Sequence, residues 1–501
     1  MADVCATATF EHIMVQFRFD SLIPRWERWS LPVLPLLWLA AWLANPVHSQ
    51  DLPIPPNLIL FVSDDQSPDL GCYGSRDAKT PALDRLAAEG LRYTRAFATT
   101  ASCSASRSVI LSGLFNHSNG QYGHAHDYHR FKTKESLSTL PQRLADAGYE
   151  TIRVGKFHLA PESAYPFETV LSGNERDPVG MAQQVAVHLQ KRSKDRPFFL
   201  YFCTADPHRG GGFRKDLPYA PDAFGNRPLA GDSTRVHQVD PATIDVPDFL
   251  PDTPHCRAEL AMYHQSCHRV DQGVQKLFDA LREAEADTQS VFLYTADHGM
   301  AFPGAKTTLY EAGLHVPLII WDGRRPLDKA ATVDLPVTHA DLVPTILDYA
   351  LVRYDAEDVH GVSHHPDRID QLPTPRTTYA SHTFHEITMY YPMRSVRSSR
   401  YKLIWNIAHP LPFPFATDLW ESPTWQERLK EGQQASYGPR TVGSYIQRPK
   451  FELYDLVADP AEAKNLAEVP EMQQELKELI SQLQAFQKAT GDPWILKWEH
   501  E

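Results

Sequence analysis

The chain predicts an α/β fold: a large mixed, mainly parallel sheet between helices, followed by a smaller C-terminal α+β domain with an antiparallel sheet. Three observations predict it. Short, continuous apolar runs recur and are bounded by polar or Gly/Pro signals, which suits strands buried on both faces. Helical stretches lie between those runs, and strands alternating with helices build parallel sheets. The last quarter of the chain then changes character, with strand-like pieces following one another and a single amphipathic helix to close.

The strands come first. NLILFVS (Asn57–Ser63) runs into Asp64-Asp65, FFLYFCTA (198–205) into Asp206-Pro207-His208, and SVFLYTA into Asp297-His298-Gly299. A fourth, TIRVG (151–155), is followed by Lys156 and His158. TPALDRLAAEG (80–90) and SLSTLPQRLADAG, which ends at Gly148, read as helices. After the Pro-rich QLPTPRTT come TTYASH, YKLIWNIA and FELYDL as strands. A helix is expected from about Pro470 to Thr490, its apolar face made of Met472, Leu476, Leu479, Ile480, Leu483 and Phe486. Forty prolines argue for rigid loops over long helices.

The expected organisation is a leader over 1–49, a catalytic domain over 50–374 and the C-terminal domain over 375–501. Arg25 and Arg28 precede the 14-residue apolar run LPVLPLLWLAAWLA, and Val47-His48-Ser49 offers small residues for cleavage. That run is short of the ~20 residues needed to span a bilayer, so export to a periplasmic or secreted location is expected. The leader carries three Arg and four Asp or Glu, so a chain cleaved after it keeps 46 basic and 58 acidic residues, net −12. That charge excludes a broad grip on nucleic acid or an acidic polymer. Five cysteines follow the leader: Cys72, Cys103, Cys203, Cys256 and Cys267. They form no CxxC or zinc-type cluster, and an odd number leaves one thiol over after any pairing.

Ligands of parallel sheets gather at the carboxyl ends of the strands, where these acids, imidazoles and the amine sit. Asp64, Asp65 and Asp297 make an oxygen-rich set suited to calcium or magnesium. Cys103 is expected at the start of a helix containing Ser104–Leu111, where the N-terminus favours anions and lowers a thiol's pKa. Arg107, at i+4, shares its face.

CSASR (103–107), followed by Ser112-Gly113, resembles the signature of the sulfatase family, in which the cysteine is oxidised to formylglycine. SDD (63–65), GKFH (155–158), DPH (206–208), ADHG (296–299) and the closing ELYDL…DP…NLA are similar to the family's other motifs, in its order. NGQYGHAHDYHRF (119–131), RPFFLYFCTADPHR (196–209), SHTFHEITMYYPMRSV (381–396) and HPLPFPFATDLWESPTWQ (409–426) resemble its N-sulfoglucosamine sulfohydrolase, or sulfamidase, branch. The likeness runs from about residue 56 to 495.

The resemblance implies an alkaline-phosphatase-like fold and an exo-acting hydrolase that removes N-linked sulfate from terminal glucosamine of heparan-type glycans. It implies one Ca2+ held by Asp64, Asp65, Asp297, His298 and the modified Cys103. The formylglycine derived from Cys103 would be the nucleophile. Arg107, Lys156 and Lys306 would hold sulfate oxygens, His158 would orient or deprotonate the nucleophile, and His208 would protonate the leaving amine. Asp206, His385 and Glu386 would read the sugar. The implied partners are a sulfated amino sugar or glycosaminoglycan and a formylglycine-generating enzyme, with a homodimer possible.

Three positions depart from the branch: His298 stands for Asn, Lys306 for Arg, and Ala105 for the commoner Pro. Lysine lacks the planar two-pronged donor of arginine. They keep open a carbohydrate O-sulfatase and a phosphonate or phosphodiester hydrolase of the wider superfamily. A non-enzymatic alternative is a secreted sulfated-glycan-binding protein in which Cys103 stays a thiol.

Overall fold

Seven residues able to be buried on both faces, Asn57–Ser63, form the central strand β1, paired in parallel with β5 (Phe198–Cys203) on one side and β6 (Ser290–Ala296) on the other. β3 (Glu150–Gly155) lies parallel beyond β5. The four runs read as strands from the sequence thus stand side by side in the order β3-β5-β1-β6, and their carboxyl ends share one edge. In this computed structural model the described residues are 54–210, 223–226, 237–327 and 329–500; the expected leader lies outside them.

The sheet continues to nine strands and is mixed but mainly parallel, as expected. β4 (Thr169–Leu171) extends the β3 edge in parallel. Past β6, β7 (His315–Asp322) and then β2 (Leu91–Phe97) are joined antiparallel, and β8 (Ala331–Val333) and β9 (Val337–Thr338) pair in parallel with β2. Side chains along β1 alternate between two cores: Leu58, Leu60 and Val62 enter one, Ile59 and Phe61 the other.

The second core is roofed by Val270, Val274, Leu277 and Leu281 of the helix Pro254–Glu283 and by Met181, Val185 and Leu189 of Pro178–Lys191. The first of these helices runs 30 residues, against the expectation that the prolines favour rigid loops over long helices. Pro254 sits at its first turn, where the missing N–H has no intrahelical partner to lose. Thr253 caps it, its hydroxyl accepting from the Cys256 amide at 3.3 Å.

The C-terminal part forms the expected antiparallel sheet, in the order β10 (Thr378–His382), β11 (Met393–Arg397), β12 (Tyr401–Asn406) and β15 (Phe451–Asp455). A small ribbon of β13 (Ser436–Tyr437) and β14 (Arg440–Thr441) lies between the last two in sequence. The closing helix spans Gln473–Ala489; its Leu476, Leu479, Leu483 and Phe486 pack on Val396, Leu403, Trp405 and Leu453. The reading missed β11, whose MRSVR mixes two arginines into the strand. All five cysteines after the leader are unpaired. No described helix is long and apolar enough to cross a membrane.

Candidate functional site

Parallel register sets the site. Ser63 pairs with Ala296 and Val62 with Cys203, so the residues following β1, β5 and β6 emerge in a row. The Asp297 amide donates to the Ser63 carbonyl at 3.0 Å, and the Asp64 amide to the Asp206 carbonyl at 3.0 Å. One oxygen of Asp297 accepts from the amides of Asp65 and His298, both at 2.9 Å. Asp65 and His158 hold left-handed backbone, with φ of 55° and 56°, a conformation costly for non-glycine residues and concentrated at functional sites.

Cys103 begins the helix Cys103–Ser112, as the sequence predicts, after the extended Ser102. Its Sγ lies 3.4 Å from His298 Nε2 and 3.8 Å from Asp65 Oδ1. Arg107, one turn on, donates from Nη2 to Asp64 Oδ1 at 2.8 Å and from Nε to Asp297 Oδ2 at 3.1 Å. Asp64, Asp65, Cys103, Arg107, Asp297 and His298 are all fully buried. Two overlapping sets of donors converge here: Asp65, Cys103, Asp297 and His298, and Asp64, Asp65, Cys103 and His208.

Three buried carboxylates are tolerable only with cations beside them. Burial pushes Asp64 up, yet Lys156, Arg107 and His208 together hold it well below the usual range. Asp297 rises to about 7, through burial and the neighbouring charge of Asp64. Burial also pushes the Cys103 thiol well up, against the pull of Lys156 and Lys306. The lowered thiol expected at a helix N-terminus is therefore not found: the amide dipoles are outweighed by complete loss of solvent.

The remaining expected residues ring this core. Lys156 Nζ bonds to Asp64 Oδ2. Lys306 Nζ lies 2.9 Å from Asp65 Oδ2, 3.0 Å from His208 Nε2 and 2.9 Å from Asp418 Oδ2. Burial, with Lys306 and Lys156, holds the His208 imidazole well below its ordinary value. His385 bridges Ser102 Oγ at 3.0 Å and His124 Nε2 at 2.9 Å. Glu386 accepts from the Thr417 amide at 3.2 Å. Asp206 has both oxygens engaged, by Arg176 at 2.7 Å and Arg269 at 2.9 Å, so its carboxylate braces the wall.

A cavity of about 350 Å3 opens over this cluster, bordered by His208, Lys306, His385, Glu386 and Asp418. Sequence reasoning missed Asp418, although it lies in the stretch HPLPFPFATDLWESPTWQ; only its position against Lys306 reveals it. It also missed His124 and His126 on the cavity wall, whose only signal was histidine density in GHAHDYH.

The sulfatase family model matches residues 56–352. The chain is 34% identical to human N-sulphoglucosamine sulphohydrolase over 464 residues, covering 88% of this chain and 91% of the relative. It is 24% identical to the N-acetylglucosamine-6-O-sulfatase of Bacteroides thetaiotaomicron, covering 92% and 91%. A solved structure in complex with its substrate D-glucosamine-2-N,6-O-disulfate superposes with a TM-score of 0.63 at 21% identity, covering 89% of this chain and all of that one. Sulfatases generally use formylglycine and a metal ion, and the donors above form a cluster that could hold a metal ion. On these matches, with the acids at the strand ends and the Cys103 thiol at the start of its helix beside them, the chain belongs to the sulfatase family and is a hydrolase of sulfate esters or sulfamates.

Proposed function

We propose that this protein is an exo-acting sulfohydrolase that removes N-linked sulfate from a terminal glucosamine, with Cys103 converted to formylglycine. The observation that carries the reading is the placement of Cys103. Its thiol is wholly buried and held protonated, a poor nucleophile as it stands, yet it sits among three carboxylates and three cations. Oxidation to the aldehyde by a formylglycine-generating enzyme, which brings dioxygen as the oxidant and expels the thiol sulfur as sulfide, gives a group that hydrates and so supplies an oxygen nucleophile toward sulfur. An exported chain bearing this group is consistent with the expected leader.

The donor set fits a hard divalent cation. Asp64, Asp65, Asp297 and His298 would hold calcium, which would counter the charge of a bound sulfate oxygen. Around it the chain's own groups divide the work. Arg107 and Lys156 stabilise anionic oxygen from one side and Lys306 from the other. His158 has no hydrogen-bond partner on either ring nitrogen; with burial and Lys156 keeping it neutral, it is fitted to accept a proton. His208 Nε2 is the atom to protonate the leaving nitrogen. An anionic sulfamate beside it would offset the lysines that keep it neutral at rest.

The cavity volume suits a single sugar, and Glu386, Asp418 and Glu421 on its border oppose a long polyanion. Both features support exo action. A carbohydrate O-sulfatase is the second reading, favoured by the similarity to the 6-O-sulfatase and by Lys306, which offers a point charge where a guanidinium would grip two oxygens.

The test has two parts. Mass analysis of the Cys103 peptide from the native host should find the aldehyde in place of the thiol, and Cys103→Ala should release no sulfate. Sulfate release should then be faster from N-sulfoglucosamine than from glucosamine 6-sulfate; the opposite order would install the O-sulfatase, and an unmodified cysteine throughout would remove the nucleophile.

A further inference from the structure

Three imidazoles converge on the cavity wall, beside the strand-end cluster and apart from it. His124 and His126 lie on the loop after Gln121, and His158 follows β3. Each presents a ligating atom within 4.8 Å of the other two. The His126 and His158 rings stack with centroids 4.4 Å apart and planes at 11°, and His124 lies 4.8 Å from both; imidazole lone pairs lie in the ring plane, so a shared ion requires the exposed His126 ring to turn out of the stack.

Their nitrogens are available. Both ring nitrogens of His158 and Nδ1 of His124 are shut off from solvent without a hydrogen-bond partner, a state that buried polar atoms rarely keep. The other nitrogen of His124 is held by His385 at 2.9 Å. Asp127 Oδ2 sits 2.9 Å from His126 Nδ1, which leaves Nε2 of that ring open. A carboxylate behind an imidazole is the arrangement that orients a ligating histidine and raises its basicity. Burial and the nearby lysines keep His124 and His158 unprotonated, the form that coordinates.

We propose that His124, His126 and His158 form a second metal site, taking a borderline transition ion such as Zn2+, with Asp127 as the residue that positions His126. Imidazole nitrogens suit zinc, copper or nickel, whereas the strand-end set, three carboxylates with one imidazole, suits a harder ion, so the two clusters differ in donor chemistry. Three histidines leave zinc a fourth position open to water or ligand. The effect on turnover rests on the role proposed for His158: an ion there withholds its lone pair, so zinc inhibits the calcium-loaded enzyme.

The test uses the full chain saturated with Ca2+ and titrated with Co2+, whose visible bands are strong in a four-coordinate imidazole set and weak in a six-coordinate, mainly oxygen set. One equivalent should generate the bands in the wild type and in Asp297→Asn, and none should form in His126→Asn. Asp127→Asn should keep the bands but weaken binding by about 10-fold or more. Bands that survive His126→Asn, or that vanish in Asp297→Asn, would overturn the site by assigning the cobalt to the strand-end cluster; so would their absence from the wild type. Zn2+ should lower wild-type turnover and spare the residual turnover of His126→Asn. Cobalt bands without zinc inhibition would uphold the site and remove His158 from the reaction.

Discussion

Lys306 Nζ and Asp418 Oδ2 stand 2.9 Å apart, joining the loop after β6 to a short helix, Thr417–Trp420, from the C-terminal part. The pair closes the cavity on the side facing His208. Asp418 is the largest of the influences that hold the Lys306 ammonium charged against burial. It also opposes the lowering of His208 by the two lysines. Asp418, 112 positions from Lys306 in the chain, thus contributes to the charge balance around His208.

Asp418→Asn should therefore lower activity and shift the pH profile. With Lys306 unopposed, His208 would gain its proton only at lower pH, so the limb of the profile assigned to the general acid should move to lower pH. General-acid catalysis is worth about 10²–10⁴-fold, and a loss of about 10-fold at neutral pH is expected from a partial effect. A profile of kcat/KM against pH checks it; an unchanged limb would exclude Asp418 from the proton balance.

Arg107→Ala removes the shared partner of Asp64 and Asp297 from a fully buried cluster. Breaking one side of a buried ion pair costs about 3–5 kcal/mol, so calcium-free Arg107→Ala should unfold at clearly lower temperature than the wild type. Calcium should stabilise the wild type by mass action, by about 2.7 kcal/mol at a hundredfold excess over Kd, and so raise its midpoint, and the increment should be lost in Asp297→Asn. Thermal unfolding with calcium and with chelator measures both.

Gly155→Ala should disable the site without touching it chemically. Gly155 has φ of +81°, and a Cβ there would lie 1.9 Å from the Cys203 carbonyl oxygen. Strain of this kind costs more than about 1 kcal/mol, and relief requires moving the segment that carries Lys156 and His158. Activity should fall further than stability does, read by kcat beside a denaturation curve.

Acid should destabilise the fold beginning near neutrality. Burial lowers His117 to about 3 and His360 to about 4. Both rings lie against Phe115, and His117 is hydrogen bonded to Ser381 and Thr490, each at 2.9 Å. A base whose folded pKa lies below its unfolded value, ~6.5, favours unfolding as it protonates. The contribution is complete above about pH 6.5 and is lost progressively toward pH 3 to 4. Denaturant midpoints at pH 7.5 and 5 should show the loss, and His117→Gln should reduce the difference between them.

Much of this was legible in the chain because it is local. Five continuous apolar residues, Leu58–Val62, running through Ser63 into Asp64-Asp65 suit a strand buried on both faces, and three more such runs carry the other ends of the site. Their parallel order brings Asp64, Lys156, Asp206 and Asp297 to one edge, so reading the strands was nearly reading the site. Helical periodicity placed Arg107 on the face of Cys103, and the stripe from Leu476 to Phe486 found its sheet.

What tertiary structure alone decided was which charges face one another and which groups lose water. Asp206 ends a strand like the others, yet Arg176 and Arg269 claim both its oxygens. Cys103 heads a helix, but enclosure overrides the dipole and raises its pKa. Asp418 reaches Lys306, and His124 reaches His158, across separations that no sequence period spans. Periodicity encodes the direction of a side chain relative to its own element; electrostatics and desolvation depend on what every other element brings to the same point, and that exists only once the chain has closed on itself.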